Sequence, residues 1–239
     1  LVAPFKAQNM SLNSAATPDG KEIGRAQALQ AEAAGLAPSA DMNPILLKPT
    51  SHSQSQVIVQ GEVFGTVSAS DYRRQNRAVL WPYVVESYER LASAYDVIVI
   101  EGAGSPAEIN LREGDIVNMH MAHAAAARCI LVADIDRGGV FASVYGTLML
   151  LDQTDRQRIA GFVINKFRGD FELLRPGIAM LEERCGIPCF GVVPHLDDIG
   201  LEEEDSVVLE RRVPGTPWPE QRSGDRLRIA VVALPHLSN

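Results

Sequence analysis

The segment Tyr95–Leu111, with the sequence YDVIVIEGAGSPAEINL, constrains the fold of this chain more than any other stretch. The run from Asp96 to Ile100 is short, apolar and rich in β-branched residues, which is typical of a buried strand. It ends in Glu101, and Gly102 and Gly104 follow, where a backbone can turn sharply or approach a ligand. Open α/β sheets bind ligands at the carboxyl ends of their strands, so Glu101 is a candidate binding residue. An ordinary turn with a solvated glutamate explains this stretch alone equally well.

Strands and helices alternate along the chain, and the major strands end in polar loops that contain glycine. The predicted strands or extended segments are Leu1–Phe5, Asp41–Pro49, Gln56–Gln60, Asp96–Ile100, Arg128–Ala133, Ile159–Ile164 and Cys189–Val193. The predicted helices are Arg25–Gly35, Ala69–Ala94, Asp115–Ala127, Val140–Leu151 and Arg175–Cys185. Gly61 and Gly65 are expected to frame a turn. This order predicts an α/β fold with a mostly parallel sheet and flanking helices.

Right-handed crossovers between parallel strands would place the loops that follow them along one edge of the sheet. Loops beginning at Glu101, Asp134 and Asn165, together with the loop at Lys6, are therefore expected to converge. Convergence of carboxylate, amide and ammonium groups strengthens the case for Glu101 as a functional residue.

Carboxylates at strand ends suit Mg²⁺, which is usually held by a few carboxylates and by phosphate oxygens. Glu101 is the first choice of metal ligand, whereas Asp134 and Asp136 are weaker choices because either can simply cap the next helix. Lys6 and Arg137 are candidates for neutralising charge on a transferred phosphoryl group.

Composition excludes some classes of protein. The 239 residues are 46% hydrophobic and 22% charged, and the net charge of −8 argues against a non-specific nucleic-acid binder. No apolar stretch approaches the roughly 18 residues of a membrane span, and no signal peptide is visible, so a cytoplasmic location is expected. The three cysteines fit no disulfide framework, and neither Cys185–Cys189 nor the pair His120 and His123 has further ligands nearby to complete a metal site.

The ends of the chain suggest a piece of a longer unit. It opens on LVAPF without an initiator methionine and closes on LRIAVVALPHLSN, which begins another predicted strand. Residues 214–226 are rich in proline and polar residues and are expected to be a linker. The phosphate-binding motif G-x-x-x-x-G-K-S/T does not occur.

Several long motifs, taken in order, resemble the cobyric acid synthase family. They read LVAPFKAQNMSLNS, GKEIGRAQALQA, MNPILLKP, SQVIVQG, IEGAGSPAEINL, ADIDRGGVFAS and GFVINKFRGD. The resemblance implies a P-loop NTPase-like domain similar to dethiobiotin synthetase over residues 1–213, with its first strand and P-loop missing from this chain. It also implies that residues 227–239 begin a glutaminase domain, whose nucleophilic cysteine is none of the cysteines present.

Members of this family amidate the b, d, e and g carboxylates of adenosylcobyrinic acid a,c-diamide. ATP converts each carboxylate to an acyl phosphate, and ammonia from glutamine displaces the phosphate. The resemblance therefore implies ATP and Mg²⁺ as cofactors, a corrinoid substrate and ammonia from the glutaminase domain as partners, and neither nucleic acid nor membrane. Association of copies stays open, and so does the activity of this piece alone, which is expected to be low.

The resemblance also implies residue roles. Glu101 matches the Mg²⁺ ligand, with Gly102 and Gly104 beside the nucleotide. Asn165, followed by Lys166, matches an adenine-reading asparagine, and Lys6 matches a substrate-contacting lysine. The remaining implied residues face the corrin or the phosphates: Asp134, Asp136 and Arg137, and, more weakly, Asn9, Glu22 and Asn110.

Two other functions stay open. A different P-loop-like ATPase would share the sheet and the asparagine, but would not require the KAQNM and AEINL loops. A chain that only binds a corrinoid or a partner protein would require neither ATP nor turnover.

Overall fold

A computed structural model of the chain describes residues 1–50, 54–68, 72 and 76–197, and it confirms an α/β fold. The strands are β1 Val2–Phe5, β2 Gln8–Met10, β3 Ser14–Ala16, β4 Glu22–Gly24, β5 Ile45–Pro49, β6 Gln54–Val59, β7 Glu62–Ser68, β8 Val97–Ile100, β9 Cys129–Asp134, β10 Ile159–Phe167 and β11 Cys189–Pro194. The helices are α1 Arg25–Ala33, α2 Trp81–Ala94, α3 Met119–Ala124, α4 Val140–Leu150, α5 Gln153–Arg156 and α6 Phe171–Cys185. Short 3-10 turns occupy Ala40–Met42 and Arg112–Gly114.

Parallel strand pairs bring the ends of distant segments together. β1 pairs with β8, and Phe5 lies opposite Ile100 at the carboxyl ends of both strands. β9, β10 and β11 form a second parallel sheet with β10 in the centre, in which Asp134 lies opposite Asn165. Within each sheet, residues at the carboxyl ends of paired strands are therefore neighbours, although they are far apart in the chain.

The sheet of β2, β5, β6 and β7 departs from the prediction of mostly parallel pairing, because β5, β6 and β7 run antiparallel. Gly61 does lie in the turn, but the turn residues are Gln60 and Gly61, both with positive φ, and Gly65 lies within β7 at an irregularity of pairing. Two positive-φ residues match the right-handed twist of a hairpin. The Gln60 side chain also donates to Ser87 Oγ at 3.1 Å, which fixes the hairpin against α2.

The predicted helix Ala69–Ala94 is wrong in its first part. β7 extends to Ser68, a π-helical turn occupies Asn76–Leu80, and α2 begins at Trp81. Pro82 lies in the first turn of α2, where its missing N–H costs nothing, so it does not kink the helix. Ser70 and Asp71, whose residue types favour an N-cap near the predicted start of this helix, lie outside the described residues.

The predicted helix Asp115–Ala127 is shortened to α3, because Asp115 forms a local turn instead of a helical one. Its Oδ1 accepts hydrogen bonds from the backbone N–H groups of Val117 and Asn118, both at 2.9 Å. Aspartate side chains compete with helical hydrogen bonding in this way. The predicted end of the last helix at Cys185 is confirmed, and a left-handed Gly186 closes that helix.

Two hydrophobic clusters form the core, and α3 contributes to both. Met121 packs with Phe5, Val84 and other residues from β1, β5, β6 and α2. Met119 packs instead with residues of β9, β10, α4 and α6, including Phe162. Alternate residues of one short helix thus join the parts of the molecule that carry the two parallel sheets.

Strands β8 and β9 are apolar on both faces, yet one face of each is exposed within the described residues. Val97 and Val99 of β8 and Ile130 and Val132 of β9 are all at least half exposed. Ile98 and Ile100 point the other way and pack against the first cluster. The prediction of a buried strand is therefore wrong for the Val97 and Val99 face of β8, and the Ile98 and Ile100 face is only partly buried. No helix among the described residues is long and apolar enough to cross a bilayer.

Candidate functional site

A half-buried ion pair lies where β1 and β8 end. Lys6, only 6% exposed, follows β1 directly and donates to Glu101 Oε1 at 2.9 Å. Gln30 on α1 donates to the other oxygen, Oε2, at 2.8 Å. A buried ammonium requires such a partner, because an unpaired charge is costly to desolvate. The two donors fix the orientation of the Glu101 carboxylate, which still exposes 42% of its side chain.

The glycines after Glu101 shape the loop. A Cβ at Gly102 would lie 2.4 Å from Asn118 Oδ1, so only glycine fits there without a shift. Asn118 clamps the loop by accepting from Ala103 N at 3.0 Å and donating to Ala103 O at 2.7 Å. Gly104 has a φ of 60°. These contacts explain both glycines through loop geometry, and their contact with a nucleotide stays a prediction.

A second charged group lies at the carboxyl ends of β9 and β10. Lys166 Nζ donates to Asp134 Oδ2 at 2.8 Å, and this hydrogen bond lowers the pKa of the Asp134 carboxyl. Asp134 Oδ1 also accepts from the backbone N–H of Asp136 at 2.9 Å. Asn165 Oδ1 accepts from the Lys166 N–H, and the Arg137 side chain is 87% exposed.

The structure thus brings Lys6 to Glu101, and Asp134 to Asn165 and Lys166. Within the described ranges, no hydrogen bond or ion pair joins the first group to the second. The predicted convergence of all three loops on one edge therefore stays a prediction.

The residues fit a magnesium ion held mainly by a nucleotide. No group of three or more His, Cys, Asp or Glu side chains in the described part of the chain is arranged to hold a metal by itself. One oriented carboxylate with phosphate oxygens and water is nevertheless a usual arrangement for Mg²⁺. Glu101 offers such a carboxylate. The His120 ring packs at a tilt of 51° against the Trp81 ring, and His123 bonds to Asp155.

A cavity of about 690 Å³ is lined by residues that follow Lys6 and Glu101 in the chain, although neither Lys6 nor Glu101 lines it. Its lining begins at Gln8 and Ala103, shortly after each member of the pair, and its walls are the sheet of β2, β5, β6 and β7 and the segment 103–119. Of the weaker candidates, Asn110 lines the cavity. Asn9 is instead buried and donates to Gln27, and Glu22 is bound by Lys48 Nζ at 2.5 Å.

Sequence reasoning missed several residues that build this region: Gln30, Arg112, Asn118 and Asp155. Arg112 bonds to Asp152 and Asp155, and Asp155 is 2% exposed and also bonds to His123 Nε2 at 2.7 Å. The short stretch LDQTDR contains a capping aspartate followed by a second aspartate, a usable sign of a helix start. Nothing in the sequence indicates that the Arg112 side chain binds these two aspartates.

We expect Asp155→Ala to lower the free energy of unfolding by about 1–3 kcal/mol, because Arg112 and His123 lose a buried acceptor. Urea unfolding followed by circular dichroism measures the change. The matched control is Asp197→Ala, which removes an exposed aspartate paired with His195 and should change the value by no more than about 0.5 kcal/mol. Equal losses in the two variants would contradict a structural role for the buried pair.

Comparison with known proteins identifies the family. Residues 1–207 match the CbiA family, described as the CobQ/CobB/MinD/ParA nucleotide-binding domain. The chain belongs to this family. Membership accords with the parallel strands and with polar loops at their carboxyl ends, which is where α/β domains bind nucleotides.

Curated relatives match the chain over its whole length. The cobyric acid synthases of Clostridium acetobutylicum and Syntrophobacter fumaroxidans are 55% and 56% identical to it over 238 residues, covering 100% of this chain and 46% of each relative. That of Sorangium cellulosum is 57% identical over 241 residues, covering 45% of the relative. The chain therefore spans about half the length of the curated relatives it matches.

Proposed function

We propose that the protein containing this chain catalyses the ATP-dependent amidation of the b, d, e and g carboxylates of adenosylcobyrinic acid a,c-diamide, yielding adenosylcobyric acid. Glutamine supplies the ammonia through a glutaminase, and this chain supplies the part that binds ATP and corrinoid. The observation that carries the proposal is the half-buried Lys6–Glu101 pair, together with a large cavity that is lined from Gln8 and Ala103 onwards. The whole-length match to relatives named cobyric acid synthase supports the choice of substrate.

The reaction proceeds in two displacements. A substrate carboxylate oxygen attacks the γ-phosphorus of ATP, and the bond to ADP breaks, which leaves an acyl phosphate. Ammonia then attacks the acyl carbon, loses a proton and expels phosphate, which leaves the amide. Phosphoryl transfer needs chiefly positioning and stabilisation of negative charge.

The chain's own residues can supply both the positioning of the reactants and the stabilisation of negative charge. Lys6 presents a buried ammonium that can stabilise charge on the transferred phosphoryl group or hold the reacting carboxylate. Gln30 keeps the Glu101 carboxylate in one orientation. Glu101 would hold Mg²⁺, which when bound supplies Lewis-acid stabilisation of the phosphates.

The charged and polar residues at the carboxyl ends of β9 and β10 are proposed to bind the nucleotide. Asn165 and Lys166 are proposed to bind the base, since a side-chain amide can both donate to and accept from a base edge. Asp134, Asp136 and Arg137 are proposed to face the phosphates or the corrin. The exposed Arg137 guanidinium is well placed to contact an anion.

The test uses the protein at its natural length with ATP, Mg²⁺, glutamine and adenosylcobyrinic acid a,c-diamide. We expect stepwise amide products by mass spectrometry and formation of ADP that depends on the corrinoid. The family description also includes MinD and ParA, so a nucleotide-dependent ATPase is the second candidate. ATP hydrolysis that ignores the corrinoid and yields no amide would favour that candidate, and corrinoid binding without turnover would favour a binding protein.

A further inference from the structure

Asn43 is a buried asparagine whose side chain joins three separate segments of the chain. It directly follows the 3-10 turn Ala40–Met42 and is 1% exposed. Its Nδ2 donates to the carbonyl oxygens of Lys6 at 3.1 Å and Ile45 at 3.0 Å, and its Oδ1 accepts from the Gly24 N–H at 3.0 Å. A side-chain amide has two N–H donors and one oxygen, so only one orientation of this amide satisfies all three bonds.

One arm of this junction fixes the backbone of Lys6. The Lys6 N–H donates to Met42 O at 2.9 Å, and Lys6 O accepts from Asn43. The Lys6 side chain in turn donates to Glu101 Oε1. Because both backbone groups of Lys6 are held by neighbouring residues of one turn, its ammonium projects from a defined point. Loss of the Asn43 amide would leave a buried carbonyl without this donor.

The other arm fixes the beginning of α1. Gly24 directly precedes α1, and the bond from its N–H to Asn43 ties the start of this helix to the Lys6 segment. Gln30, which donates to Glu101 Oε2, lies about 9 Å further along the helix at 1.5 Å per residue. A displacement at the start of α1 therefore moves Gln30 as well.

Gly24 lies too close to its neighbours for a side chain. A Cβ there would come within 2.4 Å of Gln27 Oε1, 2.8 Å of Asn9 Nδ2 and 3.1 Å of Asn43 Oδ1. Its φ of −58° is accessible to ordinary residues, so the close approach, and not the backbone conformation, requires glycine. Asn9 also donates to Gln27 Oε1 at 3.0 Å, which is a second bond between the strand after Lys6 and α1.

We propose that Asn43 is a positioning residue for the reaction: it holds the Lys6 segment against the start of α1, so that Lys6 and Gln30 meet on one carboxylate. The inference rests on the proposed function and deepens it. Both N–H groups of the Asn43 amide are engaged within the protein, so Asn43 acts through Lys6 and Gln30 and not by contact with a substrate. The orientation of Glu101 thus depends on a junction that Glu101 itself does not touch.

The first experiment compares two buried polar side chains in the protein of natural length, with rates expressed per folded protein as judged by circular dichroism. Asn43→Ala should lower kcat for amidation about tenfold or more and change KM for ATP by less than about threefold, because a small displacement of positioned groups costs a large factor in rate. Ser87→Ala is the matched control, since Ser87 is 0% exposed and bonds to Gln60 and Arg90 instead. Its kcat should stay within about twofold of wild type. Equal losses of kcat in the two variants, or wild-type kcat in Asn43→Ala, would overturn the inference.

A double variant separates positioning from a general loss of structure. If Asn43 acts partly through Gln30, Asn43→Ala should cost at least about threefold less in kcat when Gln30→Ala is already present than it costs in the wild type. Equal costs in both backgrounds would show that Asn43 acts independently of Gln30, which contradicts the proposal.

Gly24→Ala tests the same junction without removing the amide, and it serves if Asn43→Ala does not fold. The added methyl group should lower kcat about tenfold and should speed amide hydrogen exchange in residues 25–33, measured by mass spectrometry without substrates. Gly146→Ala on α4 is the matched control, because nothing lies within 4 Å of a Cβ at that position. It should leave both quantities within about twofold of wild type. Unchanged exchange and kcat in Gly24→Ala would contradict the proposed link between this junction and α1.

The two levels of proposal fail differently, because hydrogen exchange needs no turnover. If the wild-type protein amidates the a,c-diamide but Asn43→Ala and Gly24→Ala behave like their controls, Asn43 has no positioning role and the proposed function stands. If the wild-type protein yields no amide, the proposed function fails and the catalytic part of the inference fails with it. The exchange of residues 25–33 then still shows whether the junction fixes α1.

Discussion

Glu101→Gln in the protein of natural length should lower kcat/KM for amidation by at least about a hundredfold, since it removes the one charge that orients both Lys6 and the proposed Mg²⁺. Glutamine has nearly the same shape and its oxygen still accepts from Lys6. Its amide nitrogen, however, faces the Gln30 amide that donates to Oε2 in the native side chain. The variant therefore loses charge and a hydrogen bond with little change in volume.

The control for this variant is Glu86→Gln, which removes the same charge from an exposed ion pair with Arg90 on α2. Its activity should stay within about twofold of wild type, because exposed pairs contribute little. Raising the Mg²⁺ concentration should recover part of the activity of Glu101→Gln if the carboxylate binds the ion. Wild-type turnover in Glu101→Gln would remove the basis for placing phosphoryl transfer at this pair.

The Lys6–Glu101 pair shows how much of the candidate site can be predicted from the sequence. Both residues were predicted as functional because each directly follows an apolar strand. Their direct contact depends on β1 pairing with β8, across 95 positions of sequence, and the pairing order of parallel strands leaves no local signal. Gln30 was missed because an alanine-rich helix gives no indication of which polar residue faces the sheet.

The expected convergence with Asp134 and Asn165 shows the limit of the same reasoning. The crossover rule places loops on one edge only for strands that share a sheet. Among the described residues, β8 and β9 share no ladder of hydrogen bonds and belong to separate sheets. The order of strands, and not the identity of the loop residues, therefore decides how near these groups lie.

A turn at Gly61 was expected, but strand β7 and its hairpin with β6 were not, and the reason is chemical. Its turn is made by Gln60 and Gly61, whereas the residues that usually mark such turns are asparagine or aspartate followed by glycine. Gln60 tolerates a positive φ because its side chain is bonded to α2. That compensation is tertiary, so a local pattern does not reveal it, and the hairpin forms one wall of the cavity.

Stability should depend most on the centre of the β9–β11 sheet. Phe162 of β10 is 0% exposed and packs within the cluster formed with α4 and α6. We expect Phe162→Ala to lower the free energy of unfolding by about 3–5 kcal/mol, because it removes a fully buried ring and leaves a cavity between the sheet and the helices. Urea unfolding monitored by circular dichroism measures the loss.

Phe190→Ala on the neighbouring strand β11 is the matched control, since it deletes the same side chain where 53% of it is exposed. That ring lies against Gly161, at which a Cβ would come within 2.7 Å of it, so some contact is lost. We expect a change of about 1 kcal/mol or less. Comparable losses in both variants would show that the open face of this sheet is covered in solution, because only a buried Phe190 ring could match the effect of Phe162.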